Sequence, residues 1–217
     1  STNKSMLITV ARNAGRKKLD RLMQAMELLK PYKDIGLYLH TVPFVNHQLG
    51  GHNLRELQRE MGLEESVILN ENLNDPTFGI PYDKEPSASI TMIDLYSAAD
   101  LFVSTSGAEG WNLPAAEAAA CGLPVIMPEY SGAWEAAQEY AFGIHLDDPD
   151  DYEIFPRFGS RMALVRPSVV AATITTLRDH PEEMERASKK GMEVTRQRKW
   201  KDTTDKIVVL VGEAVKK

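Results

Sequence analysis

The stretch AADLFVSTSGAEGWNLPAAEAAACGLPVI, residues 98–126, decides the fold of this chain. It predicts a buried strand, a loop of small polar residues, a helix that ends at Gly122 and a second buried strand. Glu109 lies in the loop, and Glu117 lies one turn inside the helix. Such a loop, between a strand and a helix, is where an open α/β sheet binds anionic ligands. The stretch therefore predicts a ligand site as well as a fold.

The rest of the chain continues this alternation of strand and helix. Short apolar runs predict further strands at residues 6–10, 36–42, 67–69 and 141–144. Helical spacing of apolar residues predicts a helix after the first strand and closing helices at residues 167–177, 181–194 and 199–215. The alternation predicts an α/β fold, a Rossmann-like doubly wound parallel sheet of about six strands with helices on both faces.

Two segments lack a clear period. Residues 70–86 are rich in Asn, Asp and Pro, and we expect this long loop to lie near the ligand. Residues 147–166 predict an extended excursion between the last strand and the closing helices.

Composition restricts the classes of function. The chain of 217 residues has a net charge of −6 and a pI near 5.4, which argues against nucleic acid as a partner. Its single cysteine, Cys121, excludes an intrachain disulfide and any metal site made of several cysteines, and the histidines show no metal-ligand spacing within a helix. No apolar run reaches the roughly 18 residues of a membrane span. We expect a cytoplasmic location, and membrane association of a longer protein stays open.

The loops after the first and fourth strands predict a diphosphate site. In a doubly wound sheet, these loops meet where the strand order reverses. The first loop, residues 11–18, supplies Arg12 and Lys17 as phosphate ligands, and the second brings backbone N–H groups of residues 110–113 at a helix start. Because a carboxylate would repel a diphosphate, Glu109 and Glu117 are better suited to accept hydrogen bonds from sugar hydroxyls on either side of it.

Simpler interpretations remain open for the same residues. The basic run of the first loop, which comprises Arg12, Arg16, Lys17 and Lys18, could be a solvated face. Both glutamates could be acids favourably placed near a helix start. Neither GxGxxG after the first strand nor GxxxxGK[ST] occurs, which disfavours nicotinamide dinucleotides and P-loop chemistry.

Several motifs in order resemble those of the group 1 glycosyltransferases, a retaining family of the GT-B fold with an E-x7-E motif. VAR at residues 10–12 with RKKLD at 16–20 resembles the family's phosphate loop "GR…KG-L-D". LYSAADLFV at residues 95–103 resembles "LY-x-x-ADVFV", and EGWNLPAAE at 109–117 resembles "EGFGLPxxE". AAACGLPVI at 118–126 resembles "AMACGxPVI", and SGAWE at 131–135 resembles "GG-x-x-E".

The resemblance implies that the chain is the C-terminal, donor-binding half of a GT-B enzyme that moves a hexose from a UDP-, GDP- or ADP-sugar to an acceptor. It implies that Arg12 and Lys17 hold the diphosphate, that Glu109 contacts the donor sugar and that Glu117 holds the ribose hydroxyls. Backbone groups of the donor loop would meet the sugar and phosphate; this loop consists of Gly110, Trp111, Asn112 and Leu113. No metal or other cofactor is implied, because the cationic pair balances the charge of the leaving group.

The resemblance also implies a domain arrangement. Residues 6–195 would form the Rossmann-like donor-binding domain, and residues 196–217 a C-terminal helix that packs toward an N-terminal domain. Residues 1–5 are expected to be a tag or linker remnant. The acceptor, a glycan, lipid or small molecule, would bind through the N-terminal domain, and the isolated chain would turn over poorly.

Two departures from the family patterns concern the site. Asn112 stands where the family has its second glycine, although Asn tolerates unusual dihedral angles better than most residues. Lys18 stands in place of the glycine after the phosphate lysine, so that Lys17 and Lys18 could exchange roles.

Two other functions remain as alternatives. A non-catalytic GT-B-like nucleotide-binding module would keep the fold without turnover. A nucleotide-sugar epimerase or a phosphorylase-type enzyme would share the architecture, and an epimerase would release free nucleotide without any acceptor.

Overall fold

A parallel sheet in the Rossmann strand order forms the centre of the molecule. The computed structural model describes residues 5–44, 50–70, 91–155 and 159–215. Within them, six parallel strands pair in the order β3-β2-β1-β4-β5-β6. Their bounds are β1 Ser5–Val10, β2 Ile35–His40, β3 Val67–Leu69, β4 Leu101–Val103, β5 Val125–Pro128 and β6 Phe142–Ile144. The order reverses between β1 and β4, which are neighbours, so the loops that follow them share one edge of the sheet.

Helices cover both faces of this sheet. In chain order they are α1 Leu19–Leu28, α2 Leu54–Glu60, α3 Met92–Ser97, α4 Leu113–Ala120, α5 Ser131–Ala137, α6 Pro167–Asp179, α7 Pro181–Gln197 and α8 Trp200–Val215. Buried side chains of α1, α2 and α6 form one apolar cluster with the sheet. Those of α3, α4, α5 and α7 form a second cluster. The predicted doubly wound α/β sheet with helices on both faces is confirmed.

The second cluster fixes the helix that bears Glu117. Phe102 of β4 and Ala118 of α4 are fully buried in this cluster. On its other side, α4 contacts α7 closely, since a Cβ on Gly191 would lie 3.2 Å from the Cβ of Ala119. Gly122 ends α4 with a φ of 85°, as its position after the helix predicts.

The excursion at residues 147–166 contains ordered elements. A short 3-10 helix, Pro149–Asp151, precedes an antiparallel hairpin of β7 (Tyr152–Phe155) and β8 (Ser160–Ala163). Of the loop at residues 70–86, only Asn70 lies within the described residues, so its expected position near the ligand stays a prediction.

Candidate donor-binding site

The two lysines of the loop after β1, Lys17 and Lys18, contact different partners. After Ala14 the chain makes a short 3-10 helix, Gly15–Lys17, and Lys18 then takes a left-handed conformation with a φ of 52° before α1 begins. The Lys17 ammonium donates to Oε1 of Glu109. The Lys18 ammonium instead pairs with Glu153 of β7. The side chain that points toward the donor loop is therefore that of Lys17.

Glu109 lies at the centre of a cationic cluster. Its Oε1 is 2.7 Å from Nη1 of Arg16 and also accepts the hydroxyl of Ser106 at 2.8 Å. The same Arg16 nitrogen donates to the carbonyl of Ala108 at 3.1 Å. The backbone N–H of Glu109 donates to Oγ of Ser131 at 3.1 Å. Both the carboxylate and its backbone are held in place by these contacts.

Burial and charge shift the pKa values of this pair. Burial raises the pKa of Glu109, but hydrogen bonds from Lys17 and Arg16 outweigh it and hold the pKa below its ordinary value. Burial lowers the pKa of Lys17, and the nearby cations Arg16 and Arg12 lower it further. The contact with Glu109 raises this pKa but does not outweigh the other effects. Lys17 is only 9% exposed. An ion pair this enclosed is unusual for a surface loop, because taking charges out of water is costly.

Arg12 lies exposed at the carboxyl end of β1. Its charge is near enough to Lys17 to lower the pKa of that ammonium. The structure thus brings Arg12, Lys17 and Glu109 to one edge of the sheet.

The donor loop turns sharply into α4. Asn112 has a φ of 60°, and its Nδ2 donates to Oγ of Ser104 at 3.1 Å. This left-handed residue stands where the family pattern has glycine. A Cβ on Gly132 would lie 2.6 Å from the carbonyl oxygen of Gly110, so the start of α5 needs glycine there to approach the donor loop closely.

Trp111 and Leu113 project from this loop into solvent. Trp111 is 47% exposed, and the guanidinium of Arg198 lies 5.4 Å from its ring centroid. An exposed indole of this kind is available to a ligand.

Glu117 has a different partner from Glu109. Its exposed carboxylate accepts the hydroxyl of Tyr96 at 2.9 Å, through Oε2. The two glutamates of the E-x7-E spacing therefore lie in different environments: Glu109 contacts cations, and Glu117 contacts a phenol.

Four residues of this site were not assigned a role from the sequence alone: Arg16, Ser106, Tyr96 and Ser131. Arg16 belonged to the recognised basic run and Tyr96 to a recognised motif, but neither pattern says which atom a side chain meets. Ser106 lies in the polar loop of the opening stretch and Ser131 in the SGAWE motif, but neither pattern predicts that these hydroxyls contact Glu109.

The residues that the structure describes include no group of three or more His, Cys, Asp or Glu side chains that could hold a metal ion. Among the helices they form, none has both the length and the apolar character to cross a membrane.

Comparison with known proteins decides the family. The family model of group 1 glycosyl transferases matches residues 1–155. The chain belongs to the group 1 glycosyltransferases.

Two curated relatives of this chain are D-inositol 3-phosphate glycosyltransferases. The one from Thermomonospora curvata is 30% identical over 125 residues, which cover 57% of this chain and 25% of the relative. The one from Saccharomonospora viridis is 27% identical over 183 residues, or 84% of this chain and 37% of the relative.

Solved structures confirm the GT-B-type fold of this group 1 glycosyltransferase chain. The C-terminal domain of LpcC, a group 1 family protein from Francisella tularensis, superposes with a TM-score of 0.60 at 19% identity, over 90% of this chain and 87% of that one. Anabaena Alr3699/HepE in complex with UDP and glucose gives a TM-score of 0.68 at 17% identity, over 97% of this chain and 48% of that one. This chain therefore spans about half of the HepE chain and less than two fifths of either curated relative.

Proposed function

We propose that this chain is the donor-binding domain of a retaining glycosyltransferase, which moves a hexose from a nucleoside-diphosphate sugar to an acceptor. The observation that carries the proposal is the enclosed pair of Lys17 and Glu109. These residues are 92 positions apart in the chain, yet they meet beside the carboxyl ends of β1 and β4. A doubly wound sheet binds its ligands at that crevice.

The residues of the site divide between the diphosphate, the donor sugar and the ribose. Arg12 and Lys17 bind the diphosphate and balance the charge that develops on it as the glycosidic bond breaks. Glu109 accepts hydrogen bonds from donor-sugar hydroxyls, and Glu117 accepts them from the ribose. Backbone groups of the donor loop, Gly110, Trp111, Asn112 and Leu113, contact the sugar and phosphate. The diphosphate takes over part of the contact that Lys17 makes with Glu109 in the free protein.

Further parts of the proposal concern the whole protein. The acceptor is a glycan, lipid or small molecule bound through a further domain, and the reaction needs no metal. The presence of Arg12, Lys17, Glu109 and Glu117 together counts against a non-catalytic module, and a nucleotide-sugar epimerase is the other alternative to a transferase. A product assay separates these, because an epimerase releases nucleotide and an altered sugar when no acceptor is present.

Calorimetric titration with UDP, GDP and ADP tests the proposal. We expect one of them to bind with a dissociation constant between micromolar and millimolar, with or without EDTA. Arg12→Ala or Glu117→Ala should weaken binding about tenfold, as loss of a hydrogen bond to a charged group does. Lys189→Ala, which removes an exposed charge on α7, is the matched control. Absence of binding by all three nucleotides at millimolar concentration would refute the proposal.

The role of Glu109 has its own test. Glu109→Gln removes the negative charge next to the diphosphate, so the nucleoside diphosphate should bind at least as tightly as it does to the wild type. The nucleotide sugar should lose about tenfold relative to the nucleoside diphosphate, because a sugar contact is weakened. Equal losses for both ligands would place Glu109 outside the sugar site.

A further inference from the structure

Tyr96 has a buried ring, and its hydroxyl contacts the exposed carboxylate of Glu117. The ring is 1% exposed and packs in the second apolar cluster, with its centroid 6.3 Å from that of Phe102. Its hydroxyl donates to Oε2 of Glu117 at 2.9 Å. The phenol belongs to α3 and the carboxylate to α4, so this one contact fixes a surface side chain of one helix to the core side of another.

A tether of this kind matters for binding. An exposed glutamate samples several rotamers, and ordering such a long side chain on a ligand costs conformational entropy. A carboxylate that is already held by a buried donor has lost much of that freedom before the ligand arrives. Burial and the neighbouring Glu117 carboxylate raise the pKa of Tyr96, so its hydroxyl keeps the proton that it donates.

We propose that Tyr96 is a positioning residue for nucleotide binding, whose hydroxyl orients the Glu117 carboxylate toward the ribose hydroxyls of the donor. The inference rests on the ribose role proposed for Glu117. An ionised carboxylate has about four acceptor positions on its two oxygens. Tyr96 occupies one of them on Oε2. Among the residues that the structure describes, no other side chain donates to this carboxylate, and the remaining positions can accept from a diol.

Tyr96→Phe isolates the hydroxyl from the ring. The variant keeps the packing against Phe102 and removes only the donor, so that the fold should survive. The probe is whichever of UDP, GDP and ADP binds the wild-type chain most tightly, together with its 2′,3′-dideoxy analogue. Tyr140→Phe is the matched control, because Tyr140 is a second buried tyrosine of the same cluster.

A simple structural role predicts a different pattern from a positioning role. We expect Tyr96→Phe to weaken binding of the natural nucleotide about five- to tenfold. Binding of the dideoxy analogue should stay within about twofold of wild type. In a Glu117→Ala background, Tyr96→Phe should add no further loss, since the group it orients is gone. Tyr140→Phe should change neither ligand.

Two results would overturn the inference. Unchanged binding of the natural nucleotide by Tyr96→Phe shows that the hydroxyl is dispensable, and an equal loss for both ligands assigns Tyr96 to packing alone. Glu117→Ala shows which proposal has failed. If this variant no longer distinguishes the two ligands while Tyr96→Phe still does, only the inference on Tyr96 is wrong. If it distinguishes them as the wild type does, the ribose role of Glu117 is wrong as well.

Discussion

Backbone conformation at single residues marks the border of the candidate site. In the described parts of the chain, the non-glycine residues with positive φ are Lys18, Asn112 and Ser131. Each stands at a glycine of the family patterns, and each side chain makes a contact that glycine could not. Lys18 pairs with Glu153, Asn112 donates to Ser104, and Ser131 accepts from the backbone of Glu109. The backbone strain at these positions is offset by contacts that shape the donor loop.

Stability of Lys18 variants should reveal this strain. Lys18→Gly and Lys18→Ala both remove the ion pair with Glu153, but only alanine keeps the cost of a left-handed conformation. We therefore expect the glycine variant to be more stable than the alanine variant by about 1 kcal/mol in urea denaturation. Because both variants lack the same side chain, each serves as the control for the other. Equal free energies of unfolding would show that φ at Lys18 is not strained.

The pH dependence of stability should report on Glu109. Its pKa lies below the ordinary value in the folded chain, so ionisation of Glu109 favours folding above the unfolded pKa, near 4.5. This contribution is lost as the pH falls through the lower, folded pKa. Wild type should therefore lose more stability than Glu109→Gln when the pH is lowered from about 6 to 3. Parallel losses, measured by urea denaturation at each pH, would contradict the assignment.

At the scale of elements, the β7–β8 hairpin supports the loops of the site. Glu153 of β7 holds Lys18, and the N–H of Ala163 in β8 donates to the carbonyl of Gly107 at 2.8 Å. The hairpin is anchored at its base by Asp151, which is 1% exposed. The oxygens of Asp151 lie 2.8 and 3.1 Å from two guanidinium nitrogens of Arg166. A fork of this kind fixes both ends of the excursion.

Breaking this fork should destabilise the hairpin. Arg166→Ala leaves the buried Asp151 carboxylate without its cation. We expect a loss of about 2 kcal/mol, less than the ~3–5 kcal/mol of fully enclosed pairs, because the side chain of Arg166 is 44% exposed. Asp147→Ala removes the exposed second partner of Arg166 and should cost less than about 0.5 kcal/mol. A loss of the same size in both variants would contradict a buried fork.

The elements differ in how far sequence alone predicts them. The strands of the sheet are short apolar runs bounded by turns, and helix spacing between them implies crossovers, so topology follows from the pattern. The hairpin does not follow from the pattern. Its strands, YEIF in β7 and SRMA in β8, show no strict alternation of apolar and polar residues, and each contains a charged residue. The hairpin forms through tertiary contacts such as the pair of Lys18 and Glu153. Sequence likewise placed Lys17 and Glu109 in one crevice, but it could not predict their direct contact or the exclusion of Lys18 from it.

At the scale of the whole molecule, α8 stands apart from the packed layers. Its described side chains are all exposed, among them Trp200 at 80% and the apolar run of residues 207–211. An apolar surface of this kind is typical of an interaction site. The arrangement fits the prediction that residues 196–217 pack against a further domain, which stays a prediction.

Truncation should show that α8 adds nothing to the stability of this domain. A chain that ends at Lys199 keeps Arg198 over Trp111, and every described side chain of α8 that it loses is exposed. We expect its free energy of unfolding to stay within about 0.5 kcal/mol of the full 217 residues, and its tendency to self-associate in gel filtration to fall. A chain that ends at His180 is the control, because it also lacks α7, whose Val194 and Gly191 are buried beside α4. That control should unfold at a much lower urea concentration. Marked destabilisation of the chain ending at Lys199 would mean that α8 packs on this domain, contrary to its exposure.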